Sequence, residues 1–352
     1  MSSMKDVAQK AGVSISTVSN VINGTRFVSE DLRIHVMKTI EKLNYEVDLV
    51  ARSLKNNKTM TIGVVLTSMD RIFIPQVVSG MQYTADRLGY NLTMYTTNDH
   101  FDKEKSYIRM LVNSKVDGII VDSVAECNDD DYYIYLENLS KRKKSIPIIS
   151  LERNLSRYGI CSIYVDNILG AYKATKHIIE KGCKKIIHIS GPSNLDIVQY
   201  RIQGYKQALA EMNVPYIENF QIEGDFSPLS GYRAMRNALV NGIEFDGVFA
   251  DNDQMAIGAI KAIKENGLEI PGKIKIVGFD NTFVSSIVKP SLTTVNVPKY
   301  RMGVESVEML YELMNSDVSM KHNNLSRELA ISLLVRESTD IKQHSNWDLE
   351  GW

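Results

Sequence analysis

The chain has 352 residues, of which 44% are hydrophobic and 24% are charged. This length exceeds one ordinary domain, and the composition is that of a globular protein with sizeable cores, so we expect two or three domains. No apolar run reaches the roughly 18 residues that a bilayer requires, and the N-terminus lacks the charged, apolar and small-residue regions of a signal peptide, so we expect a cytosolic protein. The three cysteines have neither CxxC spacing nor a nearby histidine cluster, which excludes a disulfide framework and a zinc site: Cys127, Cys161 and Cys183.

The 41 basic and 42 acidic side chains give a net charge of -1. Residues 1–58 carry nine Lys or Arg against six Asp or Glu. This mild basic excess fits a small anion-binding head attached to a neutral body.

Three helices are predicted in residues 1–46. The first, "MKDVAQKAG", ends at Gly12, and Ser14 is placed to cap the second, "VSISTVSNVIN". Ser29 is the predicted cap of the third, "VSEDLRIHVMKTIEKLNY". Two short helices joined by a tight glycine-containing turn form a helix-turn-helix, whose second helix enters the major groove of DNA. Residues 1–46 are therefore predicted to be a DNA-binding domain.

The predicted second helix has two faces. Helical spacing places Val13, Thr17, Val18, Val21 and Ile22 on one side. The opposite side carries Ile15, Ser16, Ser19 and Asn20, and this polar face is the one we expect to meet a partner.

From Thr59 onward, short Val- and Ile-rich runs alternate with amphipathic helical stretches. Nine such runs, from "TIGVVLT" to "SLTTVNV", indicate parallel sheets covered on both faces by helices. They fit two doubly wound α/β halves better than one. Between head and body, residues 47–58 ("DLVARSLKNNK" with its flanks) form the predicted hinge helix and linker.

Short motifs in the head and in the body resemble those of one known protein family. The head motifs "MKDVAQKAGVSISTVSNVING", "RFVSEDLR" and "VARSLK" resemble those of the lac repressor family of bacterial transcription regulators. The likeness continues through "RIQGY", "GDFSPLSGYRAM", "NDQMAIGAIKAI", "IVGFDN" and "LLVREST", and covers residues 4 to about 339. It implies a helix-turn-helix head followed by a two-lobed body similar to periplasmic sugar-binding proteins, which close around a ligand.

The resemblance implies a set of DNA contacts. Ile15, Ser16 and Asn20 would read bases, and Arg26 would add a further contact, while Ser14, Thr17 and Ser19 would face phosphates. Asn20 stands where many relatives carry a cation, so the operator preference is expected to differ. In the hinge, Leu54 would insert into the minor groove, flanked by phosphate partners Arg52 and Lys55.

The body, residues 59–340, is expected to bind an effector. Its first lobe is predicted to comprise residues 59–162 and 292–320, and its second lobe residues 163–291 and 321–340. The chain would cross between them near Ile163 to Asp166, near Ser291 to Thr294 and near residues 320–328. Residues 341–352 form a tail without a leucine heptad, expected to be disordered, so we predict a homodimer and no tetramer.

Ligands of open α/β sheets bind beyond the carboxyl ends of strands, and this rule selects Glu152, Arg153, Asn252 and Asp280. The resemblance adds Phe73, Asp166, Arg201 and Phe226. Asp166 is expected to act as a hinge residue, a ligand contact or both. Such planar polar groups with aromatic faces suit a neutral sugar. A nucleobase and control by a protein co-regulator remain as alternatives.

Enzyme function is not expected. The chain has no GxGxxG after a strand, no GxxxxGK[ST], no GxSxG and no histidine set placed for a metal or a nucleophile. We therefore predict a sequence-specific DNA-binding regulator, most consistent with a repressor, that needs neither cofactor nor metal.

Overall fold

The computed structural model describes residues 2–23, 26–45, 58–126, 129–141, 145–315 and 326–343. Its contacts divide the chain into two units, Met1–Thr59 and Met60–Trp352. Several predicted features lie outside the described residues. They are the hinge residues Arg52, Leu54 and Lys55, the cysteine Cys127 and most of the predicted tail.

The head contains three helices, as the sequence predicts: α1 (Met4–Ala11), α2 (Ile15–Asn23) and α3 (Glu30–Lys42). Ser3 and Asp6 form a reciprocal capping box at the start of α1. Gly12 ends α1 with a left-handed φ of 66°, which glycine adopts without a Cβ penalty. This turn redirects the chain into α2.

The predicted caps of the next two helices differ in outcome. The Ser14 hydroxyl accepts the Thr17 backbone N–H at 3.1 Å, which confirms the predicted cap of α2. Ser29 stands at the cap position of α3, but its side chain makes no capping hydrogen bond. The head core is built from apolar side chains of all three helices: Val7, Ala8, Ala11, Val18, Val21 and Val36.

The first lobe of the body is built on a parallel sheet of order β11-β5-β4-β3-β1-β2. Its elements in chain order are β1 (Thr61–Leu66), α4 (Phe73–Leu88), β2 (Asn91–Thr96), α5 (Phe101–Asn113), β3 (Gly118–Val121), α6 (Asp130–Lys141), β4 (Ile148–Leu151) and β5 (Cys161–Val165), then α12 (Lys299–Asn315) and β11 (Arg327–Leu329).

The second lobe is built on a sheet of order β12-β10-β9-β8-β6-β7, parallel except for the antiparallel β10–β12 pair. Its elements are α7 (Asn167–Glu180), β6 (Ile186–Ser190), α8 (Asp196–Glu211), β7 (Gln221–Glu223), α9 (Pro228–Val240), β8 (Gly247–Ala250), α10 (Asp253–Glu265), β9 (Lys275–Asp280), α11 (Phe283–Ile287), β10 (Thr293–Asn296) and β12 (Ser332–Leu334). Two doubly wound lobes after a helical head confirm the predicted fold class.

Two of the predicted lobe crossings need correction. The first crossing falls at Asp166, between β5 and α7, within the predicted segment. β10 pairs with β9 in the second sheet, so the second crossing follows Asn296 and does not fall within Ser291–Thr294. β11 pairs with β5 in the first sheet, so the third crossing follows Leu329, and residues 327–329, which were predicted in the second lobe, belong to the first.

Both sheets are nearly continuous in apolar side chains because helices cover both of their faces. The fully buried strand residues include Ile62, Val64, Ile120 and Ile149 in the first lobe and Ile187, Val248, Ile276 and Val277 in the second. Cys161 and Cys183 are buried free thiols in this core. No helix among the described residues is long and apolar enough to cross a membrane.

Candidate functional site

The exposed face of α2 carries the side chains predicted to contact DNA. Ser14 and Ser16 are exposed, and Ile15 is 49% exposed despite being apolar. Thr17, Ser19 and Asn20 are half-buried along the same helix, and Arg26 is exposed beyond its end. An exposed isoleucine surrounded by hydroxyl groups is what contact with a thymine methyl and nearby phosphates requires.

Hydroxyl groups cluster at the beginning of α2. The Ser14 Oγ lies 2.7 Å from the Ser16 Oγ and 2.8 Å from the Thr17 Oγ1. Helix N-termini attract phosphate because their first backbone N–H groups lack helical partners. The cluster therefore offers donors to a phosphate at the positive end of the helix dipole.

A cavity of about 370 Å³, measured with its mouth, lies where residues of both lobes meet. Six of the eight predicted effector residues line it: Phe73, Glu152, Arg201, Phe226, Asn252 and Asp280. Four residues that the sequence analysis did not select complete the wall: Arg71, Ile74, Ile197 and Gln254. Most of these residues follow the carboxyl end of a parallel strand or begin the next helix, the position at which such sheets bind ligands.

Arg201 on α8 is a buried and firmly oriented cation. Its Nε donates to the Asn167 Oδ1 at 2.9 Å, and its Nη1 donates to the backbone carbonyl of Asp251. The guanidinium carbon lies 3.8 Å from the centre of the Phe279 ring. Its Nη2 lies 3.9 Å from the Asp280 Oδ1 and so faces the cavity beside that carboxylate.

Two carboxyl groups of the cavity have raised pKa values. Burial raises the pKa of Glu152 to about 8, with Asp122 adding repulsion and Arg201 opposing it. Burial likewise raises the pKa of Asp280 to about 7, against the attraction of Arg201. Both residues have left-handed backbone angles, φ 64° and φ 101°, which non-glycine residues rarely adopt. Such strained positions concentrate at ligand sites.

Arg71 and Phe226 meet across the cavity from different lobes. The Arg71 Nη2 donates to both carboxylate oxygens of Asp99 at 2.9 Å. The planar guanidinium lies 4.6 Å from the centre of the Phe226 ring. A Cβ on Gly191 would lie 2.2 Å from the Phe226 ring, so glycine there makes room for this aromatic wall.

Asn252 is engaged by its own lobe. Its Oδ1 accepts the Met255 N–H at 2.9 Å and caps α10, while its Nδ2 donates to the Phe226 carbonyl at 3.0 Å. Phe226 itself has a left-handed φ of 67°. Asn252 therefore orients the Phe226 ring and retains only part of its hydrogen-bonding capacity for a ligand.

The other two predicted effector residues are not part of this wall, although the cavity beside Arg153 adjoins it and shares Arg71, Glu152 and Ile197 with it. Arg153 borders a smaller cavity of about 250 Å³ with Thr67, Asp122 and Ser123, and its Nη1 donates to the Ala125 carbonyl at 2.6 Å. Asp166 lines neither cavity. Its Oδ1 accepts the Leu169 N–H at 2.8 Å and caps α7 at the first lobe crossing. Its role as a hinge residue, a ligand contact or both stays a prediction.

Gln254 joins the two lobes directly. Its Oε1 accepts the Ile72 N–H at 3.0 Å, and its Nε2 donates to the Asp70 carbonyl at 3.3 Å. Gln254 lies in the first turn of α10, two residues after the predicted Asn252, and Asp122 directly follows β3. Applying the strand-end rule to every strand would have selected Asp122 and the loop that contains Arg71.

Comparison with known proteins identifies both units. Residues 3–48 match the family model "Bacterial regulatory proteins, lacI family", and residues 59–336 match "Periplasmic binding proteins and sugar binding domain of LacI family". The chain is 37% identical over 313 residues to the HTH-type transcriptional repressor PurR of Proteus mirabilis (strain HI4320), covering 89% of this chain and 90% of that protein.

Solved structures give the same result. The lac repressor dimer bound to operator and the anti-inducer ONPF is similar with a TM-score of 0.86 and 29% identity, covering 96% of this chain and 99% of that chain. The transcriptional regulator CelR in complex with cellobiose has a TM-score of 0.68 and 28% identity, covering 96% of this chain and 100% of that chain. The chain belongs to the lac repressor family and is a DNA-binding transcriptional repressor, not an enzyme.

Proposed function

We propose that this repressor binds a pseudo-palindromic operator as a homodimer and that a nucleobase held in the interlobe cavity sets its operator affinity. The observation that carries the proposal is the cavity itself, because it joins oriented charges, an aromatic wall and a direct contact between the lobes. A ligand that contacts both lobes has different affinities for different lobe arrangements, and this difference is what an allosteric effector requires.

The head supplies the proposed sequence recognition. Ile15, Ser16 and Asn20 read base edges, with Arg26 as a further contact, while Ser14, Thr17 and Ser19 hold phosphates. An Asn amide pairs with the N6 and N7 edge of adenine. In the hinge, Leu54 is proposed to insert into the minor groove between two half-sites, with Arg52 and Lys55 as flanking phosphate partners, and this arrangement requires a second copy of the chain. The cytosol is the compartment in which such a repressor meets bacterial operators.

The wall composition supports a nucleobase over the sugar that the sequence suggested. Phe226 already stacks a planar cation, and Phe73, Ile74 and Ile197 add apolar surface suited to a flat ring. With pKa values of about 8 and about 7, Glu152 and Asp280 are in part protonated near neutral pH. A protonated carboxyl donates one hydrogen bond and accepts another, as the lactam edge of a nucleobase requires.

The relatives also support a nucleobase effector. Identity is higher to a repressor named PurR than to the regulator that binds cellobiose, 37% against 28%. Control by a protein co-regulator remains the competing proposal, and it predicts that no small molecule changes the melting temperature of the purified repressor.

A thermal-shift screen tests the proposal. The full-length repressor is heated with adenine, guanine, hypoxanthine, cytosine or uracil, and with glucose, ribose or cellobiose. We expect at least one base to raise the melting temperature and to change operator affinity in fluorescence anisotropy, because binding to the native state alone stabilises it. A shift by sugars and by none of the bases would overturn the nucleobase assignment.

A matched pair of phenylalanine variants locates the binding site. Phe226 lines the cavity, whereas Phe220 is buried in the same lobe and does not line it. Both variants, Phe226→Ala and Phe220→Ala, lose a buried ring and about 3–5 kcal/mol of stability. Only Phe226→Ala is expected to abolish the shift caused by the base. Equal loss in both variants would place the ligand outside the cavity.

A further inference from the structure

Lys299 is a buried ammonium at the second lobe crossing. It is the first residue of α12 and is 5% exposed. Its Nζ donates to the backbone carbonyls of Asp280 at 2.5 Å, Asn281 at 2.8 Å and Val297 at 3.2 Å. Burying a charge costs free energy unless the charge is well hydrogen-bonded, and the three carbonyls supply these hydrogen bonds to the Lys299 ammonium.

The carbonyls that Lys299 binds belong to strained backbone. Asp280 and Asn281 follow one another with φ values of 101° and 51°, both in the region that favours glycine. Such conformations persist only where surrounding contacts over-determine them. Charge-assisted hydrogen bonds from the ammonium stabilise the turn that carries the Asp280 carboxyl group into the cavity wall.

The helix that carries Lys299 is fixed to the first lobe. A Cβ on Gly303 would lie 1.9 Å from the Val77 carbonyl oxygen, and a Cβ on Gly80 would lie 2.1 Å from the Tyr300 carbonyl oxygen. Helices α4 and α12 therefore pack in direct backbone contact within the first lobe. Asp280, in contrast, ends β9 of the second sheet.

We propose that Lys299 is a positioning residue that ties the Asp280–Asn281 turn of the second lobe to α12 of the first lobe, so that rotation of the lobes changes how Asp280 meets the effector. The proposal rests on the proposed function for the role of Asp280. It adds the physical link by which lobe rotation reaches the ligand, because the Asp280 and Asn281 carbonyls belong to the second lobe while Lys299 begins a helix of the first lobe.

The first test is the ionisation of Asp280 in the full-length repressor, followed by carboxyl ¹³C NMR without any ligand. The charged groups that act on Asp280 include Arg201, Asp253, Lys299 and Arg71, and the Lys299 ammonium lowers its pKa. The Glu152 carboxyl on the facing wall of the cavity also interacts with it. In Lys299→Met the pKa of Asp280 is expected to rise further. Lys264→Met is the matched control, because the Lys264 Nζ donates to a single carbonyl, that of Lys289 at 3.2 Å, in an exposed position.

The second test is amide hydrogen exchange at Asn281 and Thr282. Loss of the ammonium is expected to accelerate exchange there by about tenfold relative to the β8 core, which corresponds to about one hydrogen bond. If Lys299→Met does not fold, Lys299→Arg decides, since its planar guanidinium keeps the charge but does not match three convergent carbonyls. In that variant the exchange at Asn281 and Thr282 is expected to accelerate while the pKa of Asp280 stays close to that of the wild type.

Unchanged exchange in the folded variant would overturn the proposal, as would an unchanged pKa of Asp280 in Lys299→Met. Neither measurement uses an effector. Failure of the nucleobase assignment therefore leaves both tests standing, and failure of these tests leaves the thermal-shift result intact.

Discussion

Gln254 makes a direct contact between the two lobes, so its replacement should change how the lobes are arranged. Gln254→Ala deletes two hydrogen bonds, to the Ile72 N–H at 3.0 Å and to the Asp70 carbonyl at 3.3 Å. Each neutral bond contributes about 0.5–1.5 kcal/mol net, so the arrangement with Gln254 bound to these groups loses about 1–3 kcal/mol. This is a shift of about 5- to 150-fold in the lobe equilibrium.

The lobe equilibrium is measured as a distance between spin labels. Cysteines replace Met94 in the first lobe and Val240 in the second, which are 43% and 76% exposed, while Cys127 is replaced by serine. Labelled chains are mixed with an excess of unlabelled chains so that an assembly of several chains carries at most one labelled pair. Gln254→Ala is expected to broaden the distance distribution and to weaken effector binding by up to the same factor.

Gln203→Ala is the control, because this glutamine is exposed on α8 and does not join the lobes. The reasoning is refuted if Gln254→Ala leaves both the distance distribution and the effector affinity at wild-type values. It is also refuted if Gln203→Ala changes them equally.

Three further predictions concern other parts of the chain. The Glu152 carboxyl has a folded-state pKa of about 8 against 4.5 in the unfolded chain, so it costs stability increasingly as pH rises through this window. Glu152→Gln should therefore raise the free energy of unfolding more at pH 8 than at pH 5 in urea titrations. Gly303→Ala should lower the free energy of unfolding by about 2–3 kcal/mol, since the new methyl group would overlap the Val77 carbonyl oxygen. Asn20→Ala should cost about 1–3 kcal/mol on operator DNA and little on random DNA.

Each of these predictions has its own control. Glu137→Gln removes a half-buried carboxylate that pairs with Lys141 and should show no comparable gain at high pH; an equal gain would contradict the burial argument. Arg301→Ala, on the same helix as Gly303 but exposed, should cost far less than Gly303→Ala. Equal losses on operator and random DNA would remove Asn20 from base reading.

The fold was predictable from the sequence wherever a segment was long and periodic. All nine predicted strands and the three head helices occur in the structure. The strands β7, β11 and β12 were missed because each has only three residues, too few for a hydrophobic period to register. Two of the predicted lobe crossings were wrong because pairing with distant residues decides which sheet a short strand joins. β11, for example, pairs with β5 of the first sheet.

The site was predictable in position more than in detail. The strand-end rule placed Glu152 and Asp280 in the cavity wall, but a sequence does not say which polar atoms the fold uses internally. Asn252 reaches the wall while also capping a helix, and Arg153 is held by the Ala125 carbonyl and the Tyr133 hydroxyl beside a smaller cavity. These engagements depend on tertiary distances and have no signature in local spacing.

The central claim is that one cavity ligand and the operator bias the same lobe equilibrium. Its most direct test is operator affinity in fluorescence anisotropy, with and without the nucleobase found by screening, for the wild type and for Arg201→Ala. The account predicts a coupling of about 1–3 kcal/mol in the wild type, equal when effector affinity is measured with and without operator. Arg201→Ala should weaken the effector by about 1.5–3 kcal/mol and leave effector-free operator affinity unchanged. A variant that responds at the wild-type effector concentration would contradict the account, as would one that loses operator binding without effector.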